Sequence, residues 1–322
     1  MPKMHPRFIW TRITIICYFP STARRVTNYF FGICVAQLVS LFVIFSFEDG
    51  LKTMILSEKS DTPYRAFKRY LSTVVRLNNW YVEDPWDQET QAHRNVQKVR
   101  KMHLAMRRRL RSYDYEQIDA SSRIPEVCCP LQGIIVKDFK DTCPMANDLQ
   151  CPFTMTRTKK QSQGDMSCTQ SAFMSMMVLY PKKFGVHNVC NEDLEAFCHM
   201  WRGLGYLLGI EDQYNFCCGG LQEVRERIKN CIEFWLKPYL RSVTPEWEHM
   251  SLCLYRSMYT FVPVQNYKTH LLYICDIFEL NMPRLYRSMS LVEKMMYSWM
   301  HFQFGYLTRL PLVHAFFSTI LF

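Results

Sequence analysis

Residues 191–210, "NEDLEAFCHMWRGLGYLLGI", carry the clearest periodicity in the chain and decide its fold class. Leu194, Phe197, Trp201, Leu204 and Leu208 recur three or four residues apart, so a helix gathers them on one face. Asn191 is placed to cap that helix, and Glu192 and Asp193 put negative charge in its first turn, where the helix dipole favours it. Opposite the apolar face lie Glu195, His199, Arg202 and Tyr206, at steps of four, three and four. Such a polar stripe normally meets water. Gly203, Gly205 and Gly209 argue for something closer, because each glycine weakens an exposed helix by about 1 kcal/mol. A flat cofactor or a second helix packed against them would account for all three.

The same period appears in "VQKVRKMHLAM" (96–106), with a histidine where a leucine is usual. Val96, Val99, Met106 and Leu110 form the stripe; His103 falls inside it and Arg100 lies beside it. A buried imidazole needs a partner. That partner is either a backbone carbonyl or carboxylate, or a metal, above all a haem iron.

Further out, "SDTPYRAFKRYLSTVVRLNNW" (60–80) is a helix with Ser60 or Asp61 as cap and Pro63 in its first turn. "SQGDMSCTQSAFMSMMVLYP" (162–181) is another, ended by Pro181. Between them, residues 112–162 lose the period and read as an inserted irregular loop in a single helical domain spanning 25–300. A basic segment, 1–24, precedes that domain, and an apolar segment, 301–322, follows it. From Val26 to Phe47 the chain has 22 residues without a charge, enough to span a bilayer. Asn28, Gln37, Ser40 and Ser46 suit a buried helix of a soluble bundle equally well. If the run spans, the protein is membrane-associated; if it is a core helix, the protein is cytoplasmic.

Composition agrees with helices. Of 322 residues, 48% are hydrophobic, only 11 are glycine and 19 are methionine, against a glycine-rich doubly wound sheet. The net charge of +10 gathers partly in "RKMHLAMRRRLR" (100–111). No nucleic-acid-binding motif accompanies it, so it reads as a solvated face or an attraction to anionic lipid. The 14 cysteines are scattered among apolar residues and read mostly as buried free thiols. Nucleotide-binding glycine loops and the serine- and zinc-hydrolase signatures are missing.

Taken in order, "KRYLSTVVRLNNW", "VRKMH", "SQGDMSCTQSAF" and "FCHMWRGLGYLLGIEDQYNFC" resemble the ER-bound oxygenase mpaB / rubber oxygenase catalytic-domain family, most closely its arthropod-type branch. The resemblance implies an all-α, globin-like bundle holding haem b. It also implies an O2-dependent activity on C=C bonds of an apolar, isoprenoid-like substrate, and association with the endoplasmic reticulum. By residue, Arg100 and His103 match the family's Arg-x-x-His, and His199, Arg202, Asp212 and Asn215 match the later block. Gln170 and Tyr206 complete the candidate cofactor-binding set. Bacterial members carry Trp-Val-His near "SCTQSAF", where this chain has no histidine. With haem as the implied group, the expected ligand is His199, because the glycines around it leave room for a flat macrocycle, with His103 and Arg100 serving the opposite side. The alternative is a non-catalytic membrane-associated protein that kept the fold without the cofactor.

Overall fold

Gln37, Ser40 and Ser46 interrupt the long apolar run, and the computed structural model shows why they are tolerated there. The structure describes residues 29–145, 162–258 and 266–310, with position 313. The basic segment 1–24, residues 146–161 of the expected insertion and nearly all of the apolar end beyond 310 lie outside it. The run forms α1 (Phe30–Ser46), whose Phe30, Ile33, Ala36 and Phe45 are almost wholly buried. The Gln37 amide donates to Tyr81 Oη at 2.5 Å and to the Phe173 carbonyl at 3.1 Å, and both serine hydroxyls bond back to their own helix. Each buried polar side chain here thus has a partner for its donor. After Phe47 the chain turns by 105° into α2 (Glu48–Leu56). Among the described residues no single helix is long and apolar enough to cross a membrane.

The chain is all-α, with no strand among the described residues. Helix α3 (Pro63–Val82) starts one residue later than its sequence suggests: the Thr62 hydroxyl accepts from the Arg65 amide and Pro63 takes the first helical position. Helix α4 (Gln91–Ser112) carries the His103 stripe. Residues 112–162 are not simply irregular. They contain α5 (Tyr115–Ser121), opened by an Asp114–Gln117 capping box, and α6 (Gln132–Thr142), whose Ile135 and Phe139 enter the main core. Helices α7 (Gln163–Leu179) and α8 (Asn191–Leu208) follow. The N-cap of α8 is Cys190, and Asn191 is the first helical residue.

Helix α9 (Leu221–Cys231) continues through a π-helical turn, Ile232–Leu236, into Lys237–Leu240. Pro238 accounts for the widening: it has no amide to donate and its ring crowds the carbonyl four residues earlier. Helices α10 (Pro245–Met258), α11 (Tyr267–Ile277), α12 (Pro283–Arg287) and α13 (Leu291–Gly305) complete the bundle. Helix α1 lies against α7 and α10, α3 against α10 and α4, and α8 against α4 and α7. One core unites these helices. Leu56, Leu110 and Ile118 form a small satellite cluster with Met106 packed on it, so His103 stands between two apolar centres.

The twelve described cysteines are all free, and Cys34, Cys143, Cys198, Cys217, Cys253 and Cys275 are buried. A buried acid sits beside α6. Glu248 is fully enclosed; one oxygen accepts from the Leu131 amide at 2.7 Å, while the other has no partner among the described residues. Burial raises its pKa from 4.5 to about 7, opposed only by the Leu131 bond. The folded state thus holds a proton that the unfolded chain gives up above about pH 4.5, and this contribution is fully present below that pH and lost as pH rises through 7. We expect stability in urea to fall between pH 5 and 8 by an amount of order 3 kcal/mol. The Glu248→Gln protein should lose that slope, and an unchanged slope would place the titration elsewhere.

Candidate functional site at the end of helix α8

Arg100, Gln170, Arg202, Asp212 and Asn215 come together around the last turns of α8, although more than a hundred residues of sequence separate the first from the last. Gly205 makes this possible. A Cβ at this position would run into the Gln170 amide and lie 2.9 Å from Asn215 Nδ2. Without one, two side-chain amides reach the helix backbone. Gln170 Nε2 donates to the Trp201 carbonyl at 2.8 Å and Asn215 Nδ2 donates to the Arg202 carbonyl at 2.9 Å. Gln170 Nε2 also donates to Asn215 Oδ1 at 3.0 Å, and Gln170 Oε1 accepts from the Phe216 amide at 2.9 Å.

Arg202 makes a two-pronged ion pair with Asp212, Nε to Oδ1 at 2.9 Å and Nη2 to Oδ2 at 2.7 Å. That hydrogen bonding raises the guanidinium pKa further. The turn after α8 is thereby fastened at both ends. Arg100 acts on the helix terminus itself: Nη1 donates to the Leu207 carbonyl at 3.3 Å, and its guanidinium lies over Gly209, which ends α8 at φ +101°. Gln163 holds the same corner, donating to the Gly209 carbonyl and accepting from the Glu211 amide. Tyr206 stacks on Trp86 with ring centroids 6.0 Å apart. The close neighbour at Gly205 is therefore a second helix, supplying Gln170, together with the following turn, while Gly209 serves the positive φ that ends α8.

His199 lies on α8, half-buried, on the stripe with Glu195, Arg202 and Tyr206. Its Nε2 is as enclosed as the Nδ1 of His103, so enclosure alone does not separate the two rings; the cations around His103 do. His103 is half-buried, and its Nδ1 is enclosed with no hydrogen-bond partner among the described residues. Desolvation first, then the charges of Arg69 and Arg107, lower its pKa to about 4, so the ring is neutral at physiological pH. Arg69 bonds the Ser57 and Ser60 hydroxyls and the Met54 sulfur, and Arg107 the Met166 sulfur. No carboxylate among the described residues pairs with either. Arg69 was not legible as a site residue, because in "AFKRYL" it reads as one more cation on a solvated face.

Haem b, the group implied by the resemblance, meets a divided set of residues. His103 fits it, with a neutral imidazole, an unused buried nitrogen and two cations nearby. The α8 block does not, because Gln170, Arg202, Asp212 and Asn215 are engaged with one another and with backbone, and the space beside Gly205 is filled. A cavity of about 20 Å³ between α1, α7 and α9, lined by Ser40, Ser171, Ser175 and Ile228, has room for a water molecule only. Among the described residues no group of three or more His, Cys, Asp or Glu side chains is arranged to hold a metal ion. Set against protein-family models, curated proteins and solved structures, the chain matches none of them.

Proposed function

We propose that the chain is a haem-dependent oxygenase of the mpaB and rubber-oxygenase type, with a globin-like fold and an apolar, isoprenoid-like substrate. His103, rather than His199, faces the iron in this reading. The observation that carries it is that His103, on a ring held neutral, has beside it Arg69 and Arg107, two cations with no carboxylate partner among the described residues; an enclosed ring nitrogen alone is shared with His199. A neutral imidazole in an apolar stripe keeps its lone pair for a metal, where a protonated one could not. Arg69 and Arg107 would face the carboxylates of the bound group, and Arg100 would keep α4 in register with the end of α8. Haem, when bound, supplies the activation of O2.

A second reading has its own support: a non-catalytic protein that kept the fold without the cofactor. The mutual engagement of Gln170, Asn215, Arg202 and Asp212 favours it, because these side chains explain their own presence without a ligand. One experiment separates the two. Protein supplied with haem during expression, or reconstituted with hemin, is expected to show a Soret band. His103→Ala should abolish the band, and His199→Ala should leave it in place. Loss with His199→Ala alone restores His199 as the ligand, and a wild-type chain that takes up no haem overturns the first reading and supports the second.

A further inference from the structure

Helix α13 turns an apolar stripe to solvent along its whole length. Leu291, Met295, Trp299, Phe302 and Tyr306 follow one another at steps of four, four, three and four, and so fall on one side of the helix. All are exposed, Leu291 by 75%, Met295 by 64% and Trp299 by 54%, with Val292 beside them at 65%. The rings form a continuous strip, Trp299 to Phe302 at 5.6 Å and Phe302 to Tyr306 at 5.9 Å between centroids.

The opposite side of α13 is firmly held. Met300 and Phe304 are buried, Tyr297 and His301 both bond the Asp276 carboxylate, and Tyr273 of α11 lies against His301 and Phe304. The exposed face is thus the outer surface of a packed helix. Contiguous apolar surface of this kind marks an interaction site.

Charge identifies the occupant. From residue 281 to the end the chain has four basic residues and a single acid, Glu293; Arg284 is held by Asp138 and Asp141, which leaves Arg287, Lys294 and Arg309 as the cations near the strip. The Glu293 carboxylate is turned inward, accepting from the Ser290 amide at 2.6 Å and lying 3.6 Å from Lys268. Lys294 and Arg309 rest on the rings of Tyr286 and Tyr306 at the rim of the strip. Tryptophan, tyrosine and phenylalanine bordered by cations, with no free acid, match the boundary between headgroups and acyl chains of an anionic bilayer. A second copy of this chain, itself at net charge +10, would set cations against these cations.

We propose that the outer face of α13 docks the protein on membranes that carry anionic lipid. This does not depend on haem. The test uses the full chain in a flotation assay with phosphatidylcholine vesicles, with and without phosphatidylserine. Binding is expected to be stronger with phosphatidylserine and to weaken in high salt. The Trp299→Ser, Phe302→Ser double variant, altered only at exposed positions and checked for unchanged thermal stability, should bind at least tenfold less. Equal binding by wild type and variant would place membrane contact elsewhere and overturn the proposal. So would failure to float accompanied by self-association that the double variant abolishes, which would make the stripe an interface between copies.

Discussion

Replacing Gly205 by valine is expected to destabilise the protein by about 3 kcal/mol, read as a shift in the urea midpoint with an unchanged slope. The new side chain must occupy the place of the Gln170 and Asn215 amides, both of which are buried and bonded to the α8 backbone. Neither amide can withdraw without leaving the Trp201 and Arg202 contacts and the Phe216 amide unserved. Gln170→Leu should cost a comparable amount at similar volume, because the Phe216 N–H loses its acceptor. A Gly205→Val protein with wild-type stability would show that the network is not what holds the turn after α8.

Asp138 should be more sensitive still. Its side chain is completely buried and receives three donors from the start of α12: the Leu285 amide at 2.8 Å, the Arg284 amide at 3.2 Å and Arg284 Nη1 at 3.0 Å. It therefore serves as the distant cap of a helix of five residues that has no side-chain cap of its own. Asp138→Ala is expected to cost about 3 kcal/mol or more by calorimetry or urea unfolding, because the buried Leu285 amide and the Arg284 amide both lose a charged acceptor. A loss below about 1 kcal/mol would mean that α6 is peripheral to the fold.

Asp138 also shows how the sequence misleads. Leu131, Ile135 and Phe139 keep helical spacing through "LQGIIVKDFKD", but an aspartate inside the stripe and prolines on either side hide the pattern. The carboxylate belongs there because its partners come from residues 284 and 285, and no local period encodes that. Helix α8 was legible for the opposite reason: its apolar face meets a continuous core, so spacing alone describes it. Its glycines announced a close neighbour, and only the three-dimensional arrangement distinguishes a helix bearing Gln170 from a cofactor. Arg100 and Arg202 stood out by their positions relative to the histidines. Their tasks, a helix terminus and an aspartate ten residues on, depend on how the chain folds back. The outer stripe of α13 was there to be read, but exposure is a property of packing, and the same letters would describe a core helix.

The buried thiols have a use beyond filling space. Cys34 on α1, Cys198 on α8 and Cys253 on α10 are pushed up by burial to about 12, and Cys143 to about 11. Thiolates are the species that attack alkylating reagents or peroxides, so burial makes these sulfurs, with Cys143 just past the end of α6, slow to react while the surrounding helices stay closed. Each becomes reactive when its own element opens. The chain thereby carries intrinsic labels distributed through its core, and the order in which they are modified in the native state would record which helices part first.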